Sequence, residues 1–288
     1  MGKLNESFDF SGSVGNLSVY KMRGVEKPVV RRKGGPSREK VKTGERFEMT
    51  RRNNSEFGAR AAMSKWILKS LLFHKTLADY NIAGPINSLL KPIQDMDEDN
   101  IYGQRALRLT RNPEILKGFS LNRNANFDAI VRTPVEYEFF ESQTSVLITI
   151  PELKPYVNLF PNEKYPWFSI MVSLGLVPDL FFTQNGAPID KSYDSFTNPM
   201  AASYVHKYTF SDPGYAYFQA APTSLMTMWH PVKQGMPATT MELELVAEPP
   251  NSNHTLILAV GFVYGYQENA THIQAARYAG AAKILGVE

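Results

Sequence analysis

Cysteine is absent from the 288 residues. That single absence removes disulfide staples, thiolate metal sites and thiol nucleophiles together. Long apolar runs are also missing. The nearest candidate, Phe168 to Phe182, is interrupted by Gly175, Pro178 and Asp179, and a membrane-spanning helix needs roughly eighteen or more uninterrupted residues. Behind Lys3 the opening Met1–Asn16 holds no apolar segment, so no secretory leader is expected. Glu6 stands where a myristoylation pattern wants Ser or Thr. This leaves the location open between the cytoplasm and release or assembly by a non-classical route. Without a leader, the Asn-x-Ser/Thr triplets at Asn5, Asn16, Asn53, Asn253 and Asn269 are read as chance.

The patterns that announce familiar chemistry are missing too. There is no HExxH, no GxSxG, no Walker loop and no dinucleotide fingerprint set in a βαβ unit. His74, His206, His230, His254 and His272 include no pair at the helical spacing of metal ligands. Asp95-Met96-Asp97-Glu98-Asp99-Asn100 opens like a calcium loop, but Asn100 and Ala106 occupy the places that need Gly and Glu. A solvated acidic turn is the expected reading. No catalytic residue, no metal and no cofactor is expected, and the chain is read as not an enzyme.

Charge is present in a lopsided form. The first seventy residues carry sixteen Lys and Arg against seven Asp and Glu, and the remainder fifteen against twenty-one. A formal charge of +3 therefore conceals an arm at +9 and a body at −6. Lys21, Arg23, Lys27, Arg31, Arg32, Lys33, Arg38, Lys40 and Lys42 lie within twenty-two residues. Such a cluster marks a contact surface for nucleic acid or for an acidic protein. Tyr20 is the one aromatic among these cations, and sequence-tolerant single-strand binders interleave several stacking rings. The bland alternative is an edge hairpin whose charges keep other strands away.

Periodicity divides the chain into three parts. Leu17–Met22 and Pro28–Arg32 are β-forming runs joined by a turn, which predicts a hairpin with its proline on an edge strand. Lys33–Ser37 reads as a hinge. Glu56 to about Leu77 shows a helical stripe of Met63, Trp66, Ile67, Ser70, Leu71 and His74, with Asn54 or Ser55 as its cap. Gly84-Pro85 starts a second helix that Pro92 ends or kinks, and Pro113 starts a short third one stopped by Gly118. Beyond residue 125, Val135–Phe139, Ser145–Ile150, Trp167–Leu174, Met241–Leu245 and Leu256–Tyr264 are β-rich. In the last run, large residues alternate with small ones. The expected class is α+β: a basic hairpin arm over 1–53, a helical region over 54–125 and an antiparallel β-sandwich or jelly-roll-like domain over 126–288. Glu136 with Glu138, and Glu242 with Glu244, fall on the outer faces of their strands. Trp167, Tyr204, Tyr208, Tyr215, Tyr217 and Trp229 raise a sugar-stacking alternative, with core packing as the plainer reading.

The stretches GNLSVYKMRG, VVRRKGGPS and FEMTRRNNSEFG resemble a family of bacterial proteins to which no activity is attached. The likeness covers residues 8 to 70 and fades in the β-rich half. It implies a bacterial origin and transfers no functional residue. The leading expectation is a structural or assembly subunit whose arm docks on other copies of the chain. A nucleic-acid-associated protein, a carbohydrate-binding module and an enzyme with an unrecognised site are the alternatives.

Overall fold

A computed structural model of the chain describes residues 2–3, 11–22, 27–140, 144–182, 208–210, 222–245, 252–269 and 272–288. Its contacts divide into two units, Met1–Arg51 and Arg52–Glu288.

The first unit is built on β1 (Gly2–Lys3), β2 (Gly12–Val14), β3 (Leu17–Tyr20) and β4 (Val29–Arg32), in the order β1-β4-β3-β2. The expected hairpin is β3 with β4, registered Val19 to Val30 and Leu17 to Arg32. A second hairpin, β2 with β3, went unread in the sequence. Its two-residue turn needs a left-handed first residue, and Gly15 supplies it at φ +53°. The hinge at Lys33–Ser37 leads directly into α1 (Arg38–Thr43). The Ser37 side chain accepts a hydrogen bond from the Lys40 amide and caps that helix.

α2 (Glu48–Ser70), most of which belongs to the second unit, starts eight residues before the expected position. Asn54 and Ser55 are therefore interior helix residues and not caps. A 3-10 turn at Phe73–Leu77 follows, then α3 (Ala83–Asp95) and the single turn α4 (Phe127–Ile130). Pro92 does not end α3, which runs three residues further. The strands are β5 (Glu136–Phe140), β6 (Ser145–Ile150), β7 (Trp167–Pro178), β8 (Leu180–Phe182), β9 (Tyr208–Phe210), β10 (Thr223–Met226), β11 (His230–Pro231), β12 (Thr239–Glu244), β13 (His254–Gln267), β14 (Ile273–Ala275) and β15 (Ala281–Val287). One sheet runs β10-β7-β13-β14, with β11 also on β7 and β15 also on β13. A smaller one runs β12-β6-β5, and β8 pairs with β9. Every named strand pairing is antiparallel, and the fold is α+β with a sandwich-like pair of sheets.

Strands β7 and β13 pair from His254–Pro178 to Gly265–Trp167. Side chains alternate across a strand, so this ribbon has two unlike faces. Phe168, Ile170, Val172, Leu174 and Leu176, with Leu256, Leu258, Val260, Phe262 and Tyr264, point into the core shared with β5, β6 and β12. Phe168 and Phe262 stack there at 4.9 Å between centroids. The other face carries Ser169, Ser173, Gly175, Ala259 and Gly261 and meets the helices. Small residues let helix backbone come close. A Cβ added to Gly175 would lie 2.5 Å from Ser70 Cβ, and one added to Gly261 would lie 2.7 Å from the His74 ring. The large-against-small alternation of β13 thus maps onto two cores. The helix-side core mixes Met63, Ile67, Leu71, Ile86 and Leu90 with Ile257, Ala259, Ala282 and Ile284.

Polar ties cross the same unit. Asn122 donates to the carbonyls of Leu77 and Gly280 and accepts from the Ala282 amide at 2.8 Å. Asp179 accepts from the Thr110 amide and hydroxyl. Arg105 grips both oxygens of buried Glu56 at 2.7 Å and reaches Asp95 at 2.8 Å. Burial opposes ionisation of Glu56, yet Arg105 and the Gly103 amide hold its carboxyl below the usual range.

Gly175→Ala should push α2 off the sheet and lower unfolding stability by about 2 kcal/mol, the cost typical of overpacking. Gly84→Ala, with open space around it, should be neutral or mildly stabilising. Urea unfolding of both variants checks this, and equal midpoints would contradict the close approach.

Candidate interaction surface

The cations singled out in the sequence occupy one small unit. Arg31 and Arg32 are neighbours on β4 and so lie on opposite faces of its sheet. Both are exposed. Arg32 stands in one row with Leu17 and Val14. On the other face Arg31 lies over the Tyr20 ring at 5.6 Å from its centroid. Tyr20 is therefore held by a cation. Lys33 is exposed, and its Nζ donates to the Gly15 carbonyl at 3.2 Å. Arg38, Lys40 and Lys42 are exposed along α1, which buries none of its residues. Lys21 is exposed and Lys27 half-buried. Arg23 lies outside the described residues. Arg31, Arg32, Arg38, Lys40 and Lys42 form no ion pair with any described residue.

Sequence reading missed the residue that anchors α1. Arg51 donates to the carbonyls of Val41 at 3.0 Å and Gly44 at 2.7 Å. These are groups left over at a helix C-terminus, where a cation is favoured. No local pattern announces such a contact, because donor and acceptors are seven to ten residues apart.

The body answers with carboxylates. Glu136 and Glu138 on β5, and Glu242 and Glu244 on β12, are exposed on the outer face of the small sheet. The register sets Glu138 and Glu242 either side of Leu147 on β6, in one row. The inner face carries Val146, Ile148, Ile150 and Leu243 in the core. None of the four carboxylates pairs with a described cation.

The remaining candidates are accounted for locally. The acidic turn is more than a solvated one. Asp97 is buried and accepts from the Ala106 amide and the Asn100 side chain, and Asp99 meets Arg108 at 3.3 Å. Among the described residues no three His, Asp or Glu side chains converge as a metal site. His272 sits 3.6 Å from Glu268, His230 lies beside Phe168 with its ionisation suppressed by burial, His254 starts β13 and His206 lies outside the described residues. Trp229 is half-buried over Gly265, so close that a Cβ there would meet its ring at 2.6 Å. Trp167 is half-buried in β7. Tyr208 is in β9, whereas Tyr204, Tyr215 and Tyr217 lie outside the described residues. No described helix is long and apolar enough to cross a membrane.

His74 is fully buried on the small face of the central ribbon. Its Nε2 lies 3.2 Å from the Met171 carbonyl, which can only accept. The proton therefore sits on Nε2, and Nδ1 accepts from the Ser173 hydroxyl at 3.1 Å. Burial depresses the imidazole pKa to about 4. In the unfolded chain it titrates near 6.5. Between those values the unfolded state holds more protons, so stability falls as pH drops from about 6.5 to 4, by up to about 3 kcal/mol from this residue. Urea unfolding across that window should show a shallower pH slope for His74→Asn than for the native chain. Parallel slopes would clear His74.

Compared with family models, curated proteins and solved structures, the chain matches none.

Proposed function

We propose that the chain is a non-enzymatic structural subunit whose basic arm docks on a neighbouring copy. The observation that carries this reading is the arm itself. It displays Arg31, Arg32, Arg38, Lys40 and Lys42 without ion-pair partners among the described residues, on a unit with only two buried apolar residues described, Val19 and Val29. Unpaired cations on a marginal scaffold support a surface completed by something acidic. The body, at six acidic charges in excess, with Glu136, Glu138, Glu242 and Glu244 free of ion pairs among the described residues, is such a surface. The nucleic-acid alternative draws on the same cations. It gains less from the arm's aromatic, because Arg31 already covers Tyr20.

Reversing Arg31, Arg32 and Lys33 to Glu should lower the assembly state seen by sedimentation at equal concentration. Raising salt from about 0.05 to 0.5 M should weaken the native assembly and affect the variant less. Identical sedimentation of both chains removes the arm from assembly. A salt-dependent shift of DNA or RNA that is lost in the same variant would move the reading to nucleic acid.

A further inference from the structure

Two of the strand edges left open among the described residues are complementary. On the arm, β2 ends the four-stranded sheet and, among the described residues, pairs with β3 alone. On the body, β10 ends the central sheet, and among the described residues its ladder is with β7 alone. Open edges are usually blunted by charge, proline or cover. Here neither is. Residues 12–14 and 223–226 contain no charge and no proline. Val14 is 62% exposed and Leu17 beside it 42%; Leu225 is 41%, Met226 43% and Met228 82% exposed.

The register of β10 on β7 is also fixed by Thr227. The Thr227 amide donates to the Ile170 carbonyl at 3.0 Å. The Thr227 hydroxyl, in place of its carbonyl, accepts from the Ile170 amide at 3.0 Å. Its carbonyl is turned to the Ser169 hydroxyl at 2.8 Å. Because the Thr227 amide points to β7, alternation along an antiparallel ladder turns the amides of Ser224 and Met226 outward.

Charge flanks both edges with opposite sign. Arg32 shares its row with Leu17 and Val14 on the arm. On the body β10 meets β12 where the Thr223 hydroxyl donates to the Glu244 carbonyl at 2.7 Å. The exposed Glu242 and Glu244 side chains stand on that neighbouring strand.

The geometry points to β10 as the receiving edge for the arm of a second copy: β2 adds to its open side, Val14 and Leu17 meet Leu225, whose pairing with Val172 puts it on the face toward the small sheet, and Arg32 in the same row is drawn to Glu242 and Glu244 on β12. This rests on the arm-docking reading above and names where the arm goes. Backbone pairing supplies order without demanding a particular side-chain sequence, and opposite charge selects the partner and its orientation.

The test uses the full chain and sedimentation over a concentration series. Ser224→Pro removes an outward amide without touching the β7 ladder, and should raise the dissociation constant at least tenfold. Glu242→Lys with Glu244→Lys should do the same. Adding Arg32→Glu to that charge-reversed chain should restore part of the association, since the facing row then carries swapped signs. Circular dichroism melts report whether Ser224→Pro has unfolded; if it has, the charge swap decides alone. Native-like association of Ser224→Pro and of the Glu-to-Lys chain, while arm reversal still abolishes it, overturns β10 as the receiver and leaves arm docking standing. Loss on Ser224→Pro with no effect of arm reversal means that two β10 edges pair with each other, and overturns both. Failure of the charge swap to restore association overturns the proposed alignment.

Discussion

The second unit depends on one paired ribbon having two unlike faces. β7 and β13 are buried on both sides, which normally calls for continuous apolar runs. Here the demand is met unequally. One face carries phenylalanine, leucine, isoleucine and valine, and fills the space between two sheets about 10 Å apart. The other sets serine, alanine and glycine among Met171, Val177, Ile257 and Val263, and at those small residues helix backbone comes against the sheet. Everything on the helical side inherits this spacing. His74 can reach the Met171 carbonyl only because Gly261 leaves room for its ring, and Ser70 reaches the Leu176 carbonyl beside Gly175.

Much of this was legible. The period-two runs at Ser145–Ile150 and Leu256–Tyr264 marked strands, and β6 has the bounds expected. The outward carboxylates of β5 and β12 followed from the same alternation. Sequence could not say that these two strands flank the same neighbour: β5 and β6 are a local hairpin, but β12 reaches β6 from some ninety residues further along. Helix limits were harder. α2 opens before Asn54 and Ser55, residues that favour caps but are tolerated inside a helix. α1 depends on Arg51, which lies outside the helix it completes. The second arm hairpin was hidden because the turn at Gly15 is announced by a glycine among several others.

The candidate surface shows a similar division. Composition located the basic arm, and local pattern found its hairpin. Neither could show that Tyr20 is occupied by Arg31, a contact that depends on the β3–β4 register. The acidic turn at Asp95–Asn100 was read by its formula and turned out to be held by its neighbours. Its charges answer Lys91, Arg105, Arg108 and Arg111 from adjoining segments. The buried histidine was expected on the stripe of a helix reaching Leu77; α2 ends at Ser70, and the residue sits in the 3-10 turn that follows. Its hydrogen-bond partners sit on a strand nearly a hundred residues further along.

The hydroxyl of Thr227 does the work of a backbone carbonyl in the ladder with Ile170. That exchange can occur at only one place, since Ser224, Leu225 and Met226 cannot offer the same oxygen at the same point without shifting every pair along β7. The margin of the sheet is therefore phased: its outward amides are set at fixed positions relative to the fold. A strand laid along it would meet a ruled line rather than a sliding rail.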